Sequence, residues 1–379
     1  MFKNIKTYFR KTLLKALRLF KFFRVYSLVP EGDIKYSQLN SAIDFLYLNE
    51  PQQLKRILPL TVDGTIHPNF ISQLNEIQPK TFVIKSKNWH VWGNQGAVIT
   101  DAGYLFKDVS REFDQVKHSV FDQFKLIPAK NIEGLTTVLA ASGGITYYHW
   151  LFDIIPRVNL LKKTGYFDSI DHFIINYSDL PFQKQTLERA GVDLSKIMVC
   201  NDNWGFHIQA KDLIIASLPS NNNSPSLEAC LYLRELYKDE LTSDNTFKKL
   251  YIKRPPGRCI INEDELLKIL IPLGFEIIYP WKLTVAEQAG FFSKAEIVVG
   301  IHGADFTNLV FCKPGTRVID IFSPHWINPC YWILSNILDL KYAYLIGENS
   351  YTGENRSAKG TNVLVNLSKF NKLLNDIYA

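Results

Sequence analysis

Apolar positions in this chain are grouped differently in its two halves. In the first half, short β-rich runs stand apart: TFVIKS near 81, AVIT at 97–100, TTVLAA at 136–141, HFIINY at 172–177 and KDLIIASLP at 211–219. Between them, YYHWLFDIIPRVNLLKKTG and PFQKQTLERAG carry helical spacing, the second ending at Gly191 as a helix C-terminus should. In the second half, KLYIKR (249–254), FEIIYP (275–280), AEIVVG (295–300), TRVIDIF (316–322) and KYAYLIG (341–347) are mostly continuous apolar runs. Such runs suit parallel strands covered on both faces. Helical patterns alternate with them (NEDELLKILIPLG, TVAEQAGFFSKA and the stretch after GIHGAD), which predicts a doubly wound α/β unit.

The clearest interruption is SLPSNNNSPSLEA at 217–229, polar and broken by two prolines. It sets the expected organisation: a basic segment at 1–28, an α/β domain at 29–225, a Rossmann-like domain at 226–360 and a closing helix at 361–379. A chain of 379 residues suits two domains at about 150 residues each.

Charge sharpens this division. Eight basic residues (Lys3, Lys6, Arg10, Lys11, Lys15, Arg18, Lys21 and Arg24) precede the first acid at Glu31. Without them the chain has 35 basic against 37 acidic residues, so its body is near neutral and a nucleic-acid-binding face is not expected. Residues 1–24 have charges too regularly interspersed for a secretory signal. They form either a basic amphipathic helix for an anionic membrane surface or a helix packed on its own domain. Elsewhere, no uncharged stretch reads as a transmembrane helix. Five scattered cysteines without a C-x-x-C pair signal neither a zinc cluster nor a disulfide framework, and fit a cytoplasmic protein.

Three segments carry chemistry. In EIVVGIHGADFTNLVFCKPGTRVIDI (296–321), a buried strand ends at Gly300, and Gly303 turns the backbone into a new helix. Free N–H groups at a helix start favour a phosphate or carboxylate, and ligands of open α/β sheets sit beyond the carboxyl ends of strands. His302, Thr307 and Asn308 can add hydrogen bonds there. The spacing is not G-x-G-x-x-G, so a nicotinamide fingerprint is absent. In YIKRPPGRCIINEDEL (251–266), Arg254 and Arg258 flank a Pro-Pro-Gly loop at the end of another strand, positioned to clamp a diphosphate; Asn262 with Glu265 has capping-box spacing. A solvated basic loop is the plainer reading of that segment taken alone.

The third segment is GGITYYHWLFDIIPR (143–157). As a helix it places His149 and Asp153 at i and i+4 on one face, with Ile145, Trp150, Ile154 and Val158 on a core face. Such a pair at a strand-to-helix junction suits general-base chemistry, and equally suits a buried histidine satisfied by the aspartate. No Asp-x-Asp ends an apolar strand, and there is no P-loop, G-x-S-x-G or H-E-x-x-H.

Taken in order, YYHWLFDIIPRVNLL, KRPPGRCIINEDEL and GIHGADFTNLVFCKPGTRVIDIF, with a weaker TNVLVNLSKFNKLL, resemble family 61 glycosyltransferases, a group that includes capsular-polysaccharide transferases and xylosyl- or N-acetylglucosaminyltransferases. The resemblance implies a GT-B-like fold of two Rossmann-like domains facing a cleft, inversion at the anomeric carbon and no obligatory metal or other cofactor. It implies a nucleotide-sugar donor, with a UDP-sugar first in line, held by Arg254, Arg258, His302, Gly303, Ala304, Asp305, Thr307 and Asn308. The acceptor, a glycan or lipid-linked glycan, would lie near Gly144, Tyr147, Tyr148 and Arg157. His149 and Asp153 are the catalytic pair, and which of them is the base stays open. Asp305 and Phe306 depart from the small and aliphatic residues more usual there, which puts a donor choice copied from plant or animal members in doubt. The expected place of action is the cytoplasmic face of the membrane. The alternatives are a non-catalytic scaffold subunit of the same shape and, less favoured, a nucleotide-sugar epimerase or dehydrogenase.

Overall fold

The structure is a computed structural model. It describes residues 30–379 apart from 31, 40–43, 50–51, 54, 114–116, 124, 221–223, 242–246, 256 and 350–361; the basic segment 1–24 lies outside the described residues. The chain is α/β, and most of its strands fall in two sheets.

The first sheet is built from β1 (Asp33–Ile34), β2 (Asp44–Asn49), β3 (Thr81–Trp92), β4 (Ala97–Ile99), β5 (Leu105–Phe106), β6 (Lys130–Val138), β7 (His172–Ile175), β8 (Ile197–Val199) and β9 (His207–Ala216). Its order is β1-β5-β4-β3-β9-β6-β7-β8, with β2 also paired to β3. The β9-β6-β7-β8 side is parallel, whereas β3 pairs antiparallel with β9, β4 and β2. A plain Rossmann-like unit was expected here. Instead, the twelve-residue β3 and ten-residue β9 form a long antiparallel spine at the middle of a mixed sheet. The strand expected at 136–141 starts earlier and ends at Val138.

The second sheet holds β10 (Lys248–Ile252), β11 (Phe275–Ile278), β12 (Ala295–Ile301), β13 (Arg317–Phe322) and β14 (Lys341–Ile346). All pairs are parallel, in the order β11-β10-β12-β13-β14. That is the doubly wound order 2-1-3-4-5, whose switch point lies between β10 and β12. Helices cover both faces, and Leu250, Val298, Val299, Ile319 and Ile321 are fully buried. The C-terminal helix Leu367–Asp376 packs Phe370, Leu373 and Leu374 onto one face of this sheet.

One apolar core runs through both halves. Residues 57–71 leave the first sheet and dock on the second: Leu60 N donates to Tyr342 O, and Tyr344 N donates to Leu60 O. Phe70 then stacks on Tyr344 at 4.6 Å and meets Trp332 edge-on at 5.5 Å.

Candidate active site

The first wall begins where β6 ends. Gly143 adopts a left-handed φ of +73°, and a Cβ there would come within 2.6 Å of the His149 ring. Glycine at 143 therefore serves both the turn and the imidazole beside it. Helix then starts at Tyr147 but widens to π geometry over Trp150–Ile154, where Ile155 N donates to Trp150 O. Pro156 explains the widening: it has no N–H for the Phe152 carbonyl, and its ring crowds that turn. Trp150, Ile154 and Val158 are fully buried as the pattern predicts, but Ile145 precedes the helix and is exposed.

His149 Nδ1 and Asp153 Oδ2 are 2.7 Å apart. Asp153 is almost completely buried and its other oxygen is already taken, by the Ser220 hydroxyl and by Arg111 Nη2 at 3.2 Å. Burial pushes the carboxyl upward, yet Arg111, the His149 imidazole and Ser220 together hold it below its ordinary value. An ionised carboxylate only accepts, so His149 Nδ1 must be the donor. In neutral His149 the lone pair then sits on Nε2. Around the imidazole, the Phe113 ring packs at 4.6 Å and the Tyr148 ring meets it edge-on at 5.1 Å.

The second wall lies at the switch point of the parallel sheet. Arg254 follows β10, and its Nη1 donates to His302 O beyond β12 at 2.8 Å. Gly303 has φ 175°, extended backbone open to any residue, so the sharp turn read from sequence is not what requires glycine. What requires it is space, because a Cβ would lie 2.5 Å from Arg254 Cζ. The following Ala304–Phe311 element is 3-10 helix rather than α-helix.

Arg258 comes back over the Trp326 ring at 5.1 Å. Burial, followed by the charge of Arg254, lowers its guanidinium to about 10. Nε of Arg254 and both Nε and Nη1 of Arg258 are buried without a hydrogen-bond partner among the described residues. Buried cationic donors left unpaired are costly, and an anion would satisfy them. Lys253, by contrast, is spent on Glu263, which also accepts from the Tyr251 hydroxyl at 2.7 Å. Asn262 does not cap its helix as its spacing suggests; its side chain instead pairs with both backbone groups of Val365.

His302 is buried, with Nδ1 2.8 Å from Asp320 Oδ2 and its ring stacked on Phe322 at 4.5 Å. Asp320 also accepts from the Tyr342 hydroxyl at 2.8 Å. Asp305 is half-buried, and burial raises its carboxyl against the opposing pull of Arg254. Proton uptake is thereby made easier, which reduces the electrostatic conflict of a carboxylate beside an anion site.

The two walls meet directly. Tyr147 Oη donates to Asn308 Oδ1 at 2.8 Å, and Tyr148 packs edge-on against Tyr331, whose ring lies 4.9 Å from His302. Asn308 also donates to Gln288 Oε1 at 2.6 Å and to Asp305 O at 3.0 Å, so its amide holds the seam together. Thr307 is fully buried in the same element. Arg157 is wholly enclosed, and its guanidinium donates to the carbonyls of Ala216 and Ala140; burial lowers it to about 9. It ties the ends of β6 and β9 together and faces no opening. Gly144 packs tightly on Asn176 and Ile154. Sequence reasoning missed Arg111, Ser220 and Asp320; only Asp320 left a signal, as a lone acid inside the apolar run VIDIF.

With this geometry in place, comparison with known proteins becomes informative. Residues 147–319 match the family model of glycosyltransferase 61. Over this stretch, a little under half of the chain, the sequence is similar to glycosyltransferase family 61. It contains both walls: the His149–Asp153 pair and the Arg254–His302–Gly303 cluster. Among curated relatives, xylan glycosyltransferase MUCI21 of Arabidopsis thaliana is 34% identical over 77 residues, covering 20% of this chain and 16% of that protein. Beta-1,2-xylosyltransferase RCN11 of Oryza sativa subsp. japonica is 31% identical over 90 residues, 24% of this chain and 16% of the relative. The match therefore spans about one sixth of each relative's length. No described helix is long and apolar enough to cross a membrane.

Proposed function

We propose that the chain is an inverting GT-B-type glycosyltransferase that moves a sugar from a nucleotide-sugar donor to a glycan acceptor without an obligatory metal. The observation that carries this reading is the pair of guanidinium groups, Arg254 and Arg258, with unpartnered buried donors at the switch point of the parallel sheet. The two cations supply the charge that a metal clamp would otherwise bring to a leaving diphosphate. On the facing wall, Asp153 is buried and fully bonded, so it orients the imidazole and His149 Nε2 is the base.

The reaction follows from those placements. Nε2 takes the proton of an acceptor hydroxyl as its oxygen attacks the anomeric carbon. The bond from that carbon to the diphosphate oxygen breaks on the opposite side, and the nucleoside diphosphate leaves with its charge held by Arg254 and Arg258. A UDP-sugar is the proposed donor, and UDP-xylose is the first to test because both relatives are named for transfer to xylan or of xylose. A capsular or lipopolysaccharide-type glycan on the cytoplasmic membrane face remains the proposed acceptor setting.

The test is a thermal-shift and calorimetric screen of UDP, GDP, CMP and dTDP with EDTA present. Binding of one nucleotide, weakened by Arg254→Ala and by Arg258→Ala, supports the assignment. Failure of every nucleotide to bind the folded protein overturns it and favours a scaffold.

A further inference from the structure

We infer that Arg111 is a positioning residue that sets the basicity of His149 through Asp153. The inference rests on the reading of His149 as the base. Arg111 lies 36 residues before the family-matched region, in a loop with no helical or strand periodicity, and the geometry alone brings it to the site.

The loop is moored at three successive residues. Arg111 Nη1 donates to Ser220 O at 2.9 Å while its Nη2 meets Asp153 Oδ1 at 3.2 Å. Glu112 accepts from Ser119 N at 2.5 Å and from Gln95 Nε2 at 3.1 Å. Phe113 N donates to Ser142 Oγ at 3.3 Å, and the Phe113 ring lies between the Arg111 guanidinium, 5.3 Å away, and the His149 imidazole. Arg111 therefore holds the carboxylate on one oxygen while His149 holds the other. Ser220 links them twice, donating its hydroxyl to Asp153 and lending its carbonyl to Arg111.

Among the described residues, the charged and titratable groups facing this pair are Arg111 from the loop, Arg157 from the helix and Tyr148 at the ring edge. A carboxylate raises the basicity of an imidazole it binds, because it stabilises the imidazolium. Arg111 opposes that effect in two ways. It neutralises part of the Asp153 charge, and it repels the imidazolium directly. Its removal must therefore raise the pKa of His149. A base whose midpoint rises stays protonated to higher pH, so the pH profile of turnover moves upward in the variant. A purely structural role predicts a loss of activity at all pH values with no such shift.

The experiment is an NMR titration of His149 in the full chain, selectively labelled at histidine and assigned with His149→Gln. Arg111→Gln raises the His149 midpoint by about one pH unit. Arg111→Lys returns it toward the wild-type value, and Ser220→Ala, which removes a donor from the same oxygen, raises it by less. Retained UDP affinity shows that each variant is folded; if Arg111→Gln does not fold, Arg111→Lys and Ser220→Ala carry the test. An unchanged midpoint, or one that falls, overturns the proposal. Turnover by His149→Ala separates the two readings. If that variant keeps wild-type turnover, the base assignment fails whatever the titration gives. If turnover is lost and the Arg111 titration is flat, only the role of Arg111 fails.

Discussion

Replacing Gly303 with alanine isolates the anion site from the stability of the fold. At φ 175° and ψ 175° the backbone accepts an alanine without strain. The added methyl would sit 2.5 Å from Arg254 Cζ and 3.2 Å from its Nε, so the guanidinium must move. It can move, being the far end of a flexible side chain, but it then gives up its 2.8 Å hydrogen bond to His302 O and its aim at the switch point. Folding should change by under about 1 kcal/mol, since a partly exposed side chain re-solvates at little cost. Binding should change more. A hydrogen bond from a cation to a phosphate is worth about 2 kcal/mol, which is roughly a thirtyfold rise in Kd for UDP. Isothermal titration calorimetry on Gly303→Ala, with urea unfolding in parallel, measures both quantities. Wild-type UDP affinity in a normally folded Gly303→Ala protein would refute the placement of the diphosphate beside Arg254.

Two further outcomes follow from other parts of the molecule. Phe70→Ala should cost about 3–5 kcal/mol in denaturant unfolding, because the ring is fully buried between Tyr344 and Trp332; a cost below about 1 kcal/mol would contradict the docking of residues 68–71 on the second sheet. His90 predicts a pH dependence: burial, then the neighbouring His207, lowers its imidazole to about 4, against about 6.5 in the unfolded chain. The unfolded state binds the proton first, so this stability is fully present above about pH 6.5 and is lost as pH falls toward 4. The slope cannot exceed about 1.4 kcal/mol per pH unit and is reduced by residual solvent screening. His90→Gln should flatten the fall over that window in pH-dependent urea melts, and an unchanged slope would contradict the assignment.

The second sheet was legible because its strands are continuous apolar runs whose neighbours in space follow one another closely in the chain. The central spine of the first sheet was not. β3 and β9 pair His207 with Trp92 and Ala216 with Val83, joining segments more than a hundred residues apart that share no local pattern. The His149–Asp153 pair could be read from i, i+4 spacing, and the structure confirms their contact. Which one is free to meet an acceptor could not be read. The answer depends on Arg111 and Ser220, brought to Asp153 from two loops by tertiary folding alone. Gly303 was singled out as a turn residue, whereas its need for glycine comes from a guanidinium 49 positions earlier in the sequence. Local chemistry singled out the glycine there; only packing supplied the reason for it.

The central claim is that His149 takes the acceptor proton opposite a nucleotide-diphosphate site. It is tested most directly by comparing wild type with His149→Ala for turnover of the UDP-sugar and for UDP affinity, with EDTA present. The account predicts a loss of turnover of about 100-fold or more with Kd for UDP unchanged within about twofold. Undiminished turnover by His149→Ala would contradict it.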